Sequence, residues 1–261
     1  MTKMDNFASK LNDLSLAPGE AAVFWAGQAG VIIKTSDFLI GADIYLSDDC
    51  AAGGGYRKVP PIFEPGDIRF DALFVTHFHR DHFDASSMPK LAAHTGTAVY
   101  TARDCVDKNR EAGLDGRSIY LDKGKSYPVC NGLTVHVLDC DHGDQTLDAV
   151  GLVFELPCGS VYMAGDTMLR PDIASSAAEF SPAIMFVPIN GDYGNMTETE
   201  AADYAAVVKP ALTVPCHYGT LATNHGDPEL FKREMDRVGL EALVLCPGEG
   251  VVLSGGSVKL I

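Results

Sequence analysis

The chain has 261 residues, 46% of them apolar, which is enough to bury a large core without disulfides or a structural metal. Its 35 acidic and 20 basic residues give a formal charge of −15, a field that repels RNA and DNA and argues against nucleic acid as a partner. No apolar run is long enough to span a bilayer, and Met1 to Leu16 carries scattered charge instead of a basic-then-apolar leader, so a cytoplasmic protein with no membrane association is expected.

Phe7, Leu11 and Leu14 fall at helical spacing and predict a short helix that ends before Pro18-Gly19. Ala21 to Trp25, Val31 to Thr35 and Phe38 to Ile40 are short β-prone runs separated by Gly27, Gly30 and Ser36-Asp37, the pattern of an antiparallel meander closed by Asp43. Cys50 to Asp67 is rich in Gly and Pro without periodicity and reads as a long surface loop of the kind that often carries function. Ala72 to Val75 is an apolar strand leading directly into Thr76-His77-Phe78-His79-Arg80-Asp81-His82. Further strands are expected at Ala98 to Thr101, Ser118 to Leu121, Leu133 to Leu138, Gly151 to Leu156, Val161 to Ala164, Ile184 to Pro188, Leu212 to Pro215 and Leu243 to Leu245. Two helices announce their ends. Glu198 to Val208 follows a Thr197-x-x-Glu200 capping box and stops before Pro210. The other has Asp227 as its cap, Pro228 at its first position and Gly239 at its end. Strand-rich stretches with helices outside them predict an α/β fold, two packed sheets covered by helices in a four-layer αββα sandwich. No linker interrupts residues 1–261, which read as one domain.

Three of the eight histidines lie within six residues, together with an aspartate, at H-x-H-x-D-H spacing. In a tight loop after a strand, His77 and His79 project one way and can grip one cation while Asp81 and His82 face another. One loop cannot close such a site, so partners are needed at other strand ends. His142 follows the strand ending near Leu138, Asp166 stands in Ala-Gly-Asp-Thr after Val161 to Ala164, and His217 stands in Pro-Cys-His-Tyr-Gly after Leu212 to Pro215. His94, expected in a helix near Gly96, and His136, alternating within a strand, read as structural, and Cys216 as packing. The seven cysteines are odd in number and free of C-x-x-C spacing, as expected of reduced thiols.

T-H-x-H-x-D-H, a later His, G-D-T after a strand and a P-x-H near the end resemble the metallo-β-lactamase superfamily across nearly the whole chain. Pro215-Cys216-His217-Tyr218-Gly219-Thr220 followed by Gly226-Asp227-Pro228-Glu229 is similar to the branch of L-ascorbate-6-phosphate lactonase and its metal-dependent hydrolase relatives. That resemblance implies one or two divalent metals per chain, Zn or Mn. His77, His79 and His142 would hold the first, and Asp81, His82 and His217 the second, with Asp166 bridging; with a single manganese, Asp81 would act as base instead. Asp43 resembles the aspartate that supports the ligands from behind, although its residue type equally suits a strand-end turn.

A divalent metal lowers the pKa of bound water from about 16 to about 7 and polarises the carbonyl or phosphoryl oxygen under attack, so hydrolysis is the expected chemistry, with Asp81 or Asp166 moving the proton. His225, Asn190 and Tyr193, on polar loops after strand ends, are candidate substrate contacts. The expected substrate is a small ester, lactone or phosphorylated sugar derivative, including anionic ones, and assembly with copies of itself is expected. A phosphodiesterase or RNA-processing nuclease and a non-hydrolytic di-iron redox protein are the competing readings. The charge opposes the first, and His79, where the di-iron proteins carry a carboxylate, opposes the second.

Overall fold

The structure is a computed structural model that describes residues 7–261. Its strands are β1 (Glu20–Gly27), β2 (Gly30–Lys34), β3 (Leu39–Ala42), β4 (Ala72–Val75), β5 (Ala98–Thr101), β6 (Ser118–Tyr120), β7 (Ser126–Cys130), β8 (Leu133–Asp139), β9 (Val150–Leu156), β10 (Gly159–Met163), β11 (Ile184–Pro188), β12 (Leu212–Cys216), β13 (Gly250–Ser254) and β14 (Ser257–Leu260). They form an eight-stranded sheet in the order β14-β13-β1-β2-β3-β4-β5-β6 and a six-stranded sheet in the order β12-β11-β10-β9-β8-β7. The helices are α1 (Phe7–Asp13), α2 (Met88–Leu91), α3 (Val106–Glu111), α4 (Pro171–Ala178), α5 (Glu198–Val208) and α6 (Pro228–Val238). Mixed sheets flanked by helices make this the expected αββα sandwich.

The two sheets meet through aromatic side chains. Phe74 of β4 stacks on Tyr100 of the neighbouring β5 at 4.8 Å and presents its ring to the edge of Phe154 of β9, in the opposite sheet, at 5.2 Å. Buried strands on both faces explain why β4 and β11 read as continuous apolar runs and not as alternating ones. On the outside, α5 packs against both α4 and α6, and α1 sets Phe7 against the edge of Phe24 of β1.

Strand direction places the functional loops. β3, β4, β5 and β6 run parallel, as do β10, β11 and β12, and β8 is parallel to β10 because each is antiparallel to β9. Within each sheet their carboxyl ends therefore face one edge, the usual place for a site in such folds. Asp43, Thr76, His142, Asp166 and His217 all follow these ends, and the two-residue turn Gln28-Ala29 joins β1 to β2 at the same edge, because β2 runs against β3.

Several expected elements differ. Leu243 to Leu245 is not a strand. Ala242 makes an isolated bridge to Thr213, the Leu243 N–H donates to the Thr213 carbonyl, and the apolar run is accounted for by burial of Leu245. His94 lies in an exposed bend beyond α2, which ends at Leu91. β7 contains Pro128, which is tolerated because β7 is the sheet's edge and its register shifts at that point. β13 and β14 form a hairpin around Gly255 and Gly256, whose φ of 55° and 79° a two-residue turn with this twist requires.

Candidate metal centre

The H-x-H-x-D-H segment leaves β4 as a tight turn in which the His82 and Phe83 amides donate back to the His79 carbonyl. This folds the imidazoles of His77, His79 and His82 together. His77 Nε2 lies 3.0 Å from His79 Nδ1, and His142 Nε2, arriving from the end of β8, lies 3.3 Å from the same Nδ1. His82 Nε2 and His217 Nε2 are 3.2 Å apart, and His217 Nε2 lies 3.2 Å from Asp81 Oδ2 and 3.1 Å from Asp166 Oδ2. Three sets of donor atoms thus converge, each within 4.8 Å: His77 with His79 and His142, His77 with His82 and Asp166, and Asp81 with His82 and His217. Asp166 lies between the outer two, 3.5 Å from His82 Nε2 and 3.8 Å from His142 Nε2.

All of these groups except His79 and His142 are held from behind, and His142 Nδ1 is buried without a partner. Asp43 is fully buried; its Oδ2 lies 2.8 Å from His82 Nδ1 and accepts from Thr76 Oγ1 at 2.6 Å, while its Oδ1 accepts from the Thr76 amide. Asp43 therefore fixes His82 and is not a mere turn residue. Thr76 Oγ1 also reaches His77 Nδ1 at 3.1 Å. Asn224 Nδ2 meets His217 Nδ1 at 2.7 Å, Asn195 Nδ2 donates to Asp166 Oδ2 at 3.0 Å, and Gln28 Nε2 donates to Asp81 Oδ2 at 2.8 Å.

The electrostatics divide the cluster. Burial lowers the His77, His79 and His142 imidazoles, His142 to about 4, and the neighbouring His82 pushes the same way, so all three are neutral at pH 7 with lone pairs free to bind. Burial opposes charge on His82 and His217 as well, but the carboxylates facing them outweigh it. Asp166 and Asp81 push His217 up to about 9, and Asp166, Asp43 and Asp81 hold His82 well above its ordinary value. Against the same burial, the paired imidazoles hold Asp81 and Asp166 well below the usual carboxylate range.

This donor set suits a divalent cation such as zinc. Neutral imidazole nitrogens that face one another at 3.0 to 3.3 Å cannot all satisfy each other by hydrogen bonding, and Asp166 Oδ1 is buried with no hydrogen-bond partner. A shared cation satisfies both.

The centre opens into a cavity of about 470 Å³ whose lining includes Cys50, Phe78, Arg80, Lys108, Tyr193 and Asn224. Tyr193 is therefore at the mouth, 57% exposed. Asn190 and His225 do not line it. Asn190 is buried with its amide turned to the Asp192 carbonyl, and His225 is exposed on the Asp192 carboxylate at 3.0 Å. The neighbours Asn195 and Asn224 point inward instead. Reading the sequence did not single them out, and neither did it single out Gln28, Arg80 or Lys108. An amide in a polar loop carries no signal of direction, and Gln28 lies 53 positions from the carboxylate it contacts.

Residues 49–218 match the family described as the β-lactamase superfamily domain, a span that takes in the cluster, His142, Asp166 and His217. The chain belongs to the β-lactamase superfamily. Within this superfamily it is a UPF0173-type protein. It is 31% identical over 195 residues to a UPF0173 metal-dependent hydrolase of Aeropyrum pernix, covering 69% of this chain and 79% of that one. To the corresponding protein of Methanopyrus kandleri it is 29% identical over 244 residues, covering 87% and 97%. Among solved structures, Igni18, a metallo hydrolase from Ignicoccus hospitalis, superposes with a TM-score of 0.73 at 22% identity, covering 89% of this chain and 98% of that one. An isothiocyanate hydrolase from Delia radicum gut bacteria gives 0.71 at 22%, covering 89% and 99%. At such identity the likeness extends to the superfamily fold alone.

Proposed function

We propose that the protein is a metal-dependent hydrolase that holds one or two divalent cations, zinc or manganese, and cleaves a small anionic ester, lactone or phosphorylated sugar-like substrate, as L-ascorbate-6-phosphate lactonase does. The carrying observation is the convergence of neutral imidazoles and anionic carboxylates at the floor of an open cavity. His77, His79 and His142 would hold one cation and Asp81, His82 and His217 the other, with Asp166 between them. A bound divalent cation supplies Lewis acidity and makes water a nucleophile near neutral pH.

The chain's own residues do the rest. Asp166 and Asp81 are kept anionic by the imidazoles beside them, so either can accept a hydrogen bond from the attacking water and orient it. Asn195 holds one Asp166 oxygen, while the other, 3.5 Å from His82 Nε2, has no hydrogen-bond partner and is left for a cation. Apart from Asp81 and Asp166, the lining carries no carboxylate, whereas it includes the cations Arg80 and Lys108, the latter 3.5 Å from the Glu111 carboxylate. An anionic substrate is thus favoured locally in a chain whose overall charge opposes it.

The test is a panel of lactones, phosphosugars and phosphodiesters, with matched neutral esters, offered to zinc- and manganese-loaded protein. The anionic lactones or esters are expected to be cleaved with lower KM than their neutral counterparts, and His79→Ala is expected to abolish turnover. Undiminished activity in His79→Ala would remove the reading.

A further inference from the structure

Gln28 occupies the two-residue turn between β1 and β2 and is fully buried. Polar residues in such turns ordinarily face solvent; this one folds inward, with Nε2 2.8 Å from Asp81 Oδ2 and 3.2 Å from His217 Nε2. Exchanging the ends of the amide would press its carbonyl oxygen against the Asp81 carboxylate, so charge fixes the donor end toward the site. Oε1 meanwhile has no hydrogen-bond partner. A buried amide that leaves its acceptor unpaired while keeping its donor on Asp81 is placed for that carboxylate.

The backbone is anchored independently of the side chain. The Gln28 amide donates to Thr220 Oγ1 at 3.0 Å, and its carbonyl accepts from Trp25 Nε1 at 2.9 Å and from the His217 backbone amide at 2.8 Å. Its φ is 51° and that of His217 is 61°, left-handed conformations that non-glycine residues keep only when their surroundings impose them. One residue therefore touches two of the three groups at the second cation position, Asp81 through its side chain and His217 through both side chain and backbone. It makes no such contact to His79 or His142.

We propose that Gln28 is a positioning residue that sets the affinity of the Asp81, His82 and His217 position separately from that of the His77, His79 and His142 position. The proposal rests on the metal-centre reading. Loss of a hydrogen-bonding partner behind a ligand commonly weakens metal binding about 10- to 100-fold. Gln28→Met removes the donor at nearly constant shape, and the backbone anchors remain.

The experiment is calorimetric titration of the metal-stripped full chain with zinc, comparing wild type with Gln28→Met and Gln28→Leu. Wild type is expected to take two equivalents, and both variants are expected to keep the first and bind the second about 10- to 100-fold more weakly. A second measurement needs no variant. Gln28 and Gln145 are the only glutamines in the chain, so selective ¹⁵N labelling gives two side-chain amide signals, and Gln145 is exposed. The buried signal is expected to move with the second equivalent and not with the first. Equal weakening of both equivalents, an unchanged second equivalent, a wild type with a single equivalent, or an amide signal indifferent to zinc would overturn the proposal. A wild type that binds no zinc at all would instead remove the metal centre itself.

Discussion

Six non-glycine residues among those described have left-handed backbone, and four of them, Gln28, Asp43, Tyr193 and His217, stand at the centre or its mouth. Such conformations cost roughly 1 to 3 kcal/mol each and tend to collect where function imposes them. Asp43 shows what the strain secures: its carboxylate joins His82 Nδ1 to the Thr76 hydroxyl in a place sealed from water. Asp43→Asn is expected to weaken zinc binding about 10- to 100-fold by calorimetry, with the fold intact by circular dichroism. Unchanged affinity would leave Asp43 with a purely structural role. The divided protonation of the cluster has its own consequence. In the metal-free protein His217 titrates at about 9, raised from its ordinary 6.5, so its contribution to stability is full below about 6.5 and is lost as pH rises through 9. Metal binding must displace that proton and the one on His82, whereas His77, His79 and His142 have none to lose. At pH 7 the first equivalent of zinc is expected to release almost no protons and the second about two, measured in weakly buffered solution. Equal release by both equivalents would contradict this division.

At the scale of elements, the helices whose ends carry side-chain signals were legible. Thr197 Oγ1 accepts from the Glu200 amide and the Glu200 carboxylate reaches back to the Thr197 amide, closing the box at the start of α5. Asp227 accepts from the Glu229 and Leu230 amides at the start of α6, and Gly239 closes it with φ 73°. Thr197→Ala is expected to lower the unfolding free energy by about 1 kcal/mol, read from the denaturant midpoint. No change would show that packing of Ala201, Tyr204, Ala205 and Val208 alone holds the helix. β4 and β11 were readable to the residue because both faces are buried, whereas Leu243 to Leu245 is also apolar but its pairing with β12 stops at a single bridge through Thr213. The metal cluster was legible because its spacing is local. The groups behind it were not: Gln28, Asn195 and Asn224 acquire their roles from loops brought together only by the fold, and His225 drew notice where Asn224, one position earlier, turns inward.

For the molecule as a whole, the two sheets act as a frame that delivers five strand ends and one hairpin turn to a single edge. The cost of gathering three carboxylates and five imidazoles out of water is met by pairing them with one another and, once metal is bound, with cations. The −15 formal charge opposes polyanions on average, whereas Arg80 and Lys108 place two cations in the cavity lining. Among the described residues no helix is long and apolar enough to cross a membrane. The most direct test of the centre is anomalous diffraction from a crystal grown with zinc. The expected result is a peak about 2.0 to 2.2 Å from His77 Nε2, His79 Nδ1 and His142 Nε2, with any second peak bounded by Asp81, His82 and His217 and shared through Asp166. Zinc bound elsewhere on the chain, with these side chains hydrogen-bonded to one another and free of metal, would contradict it.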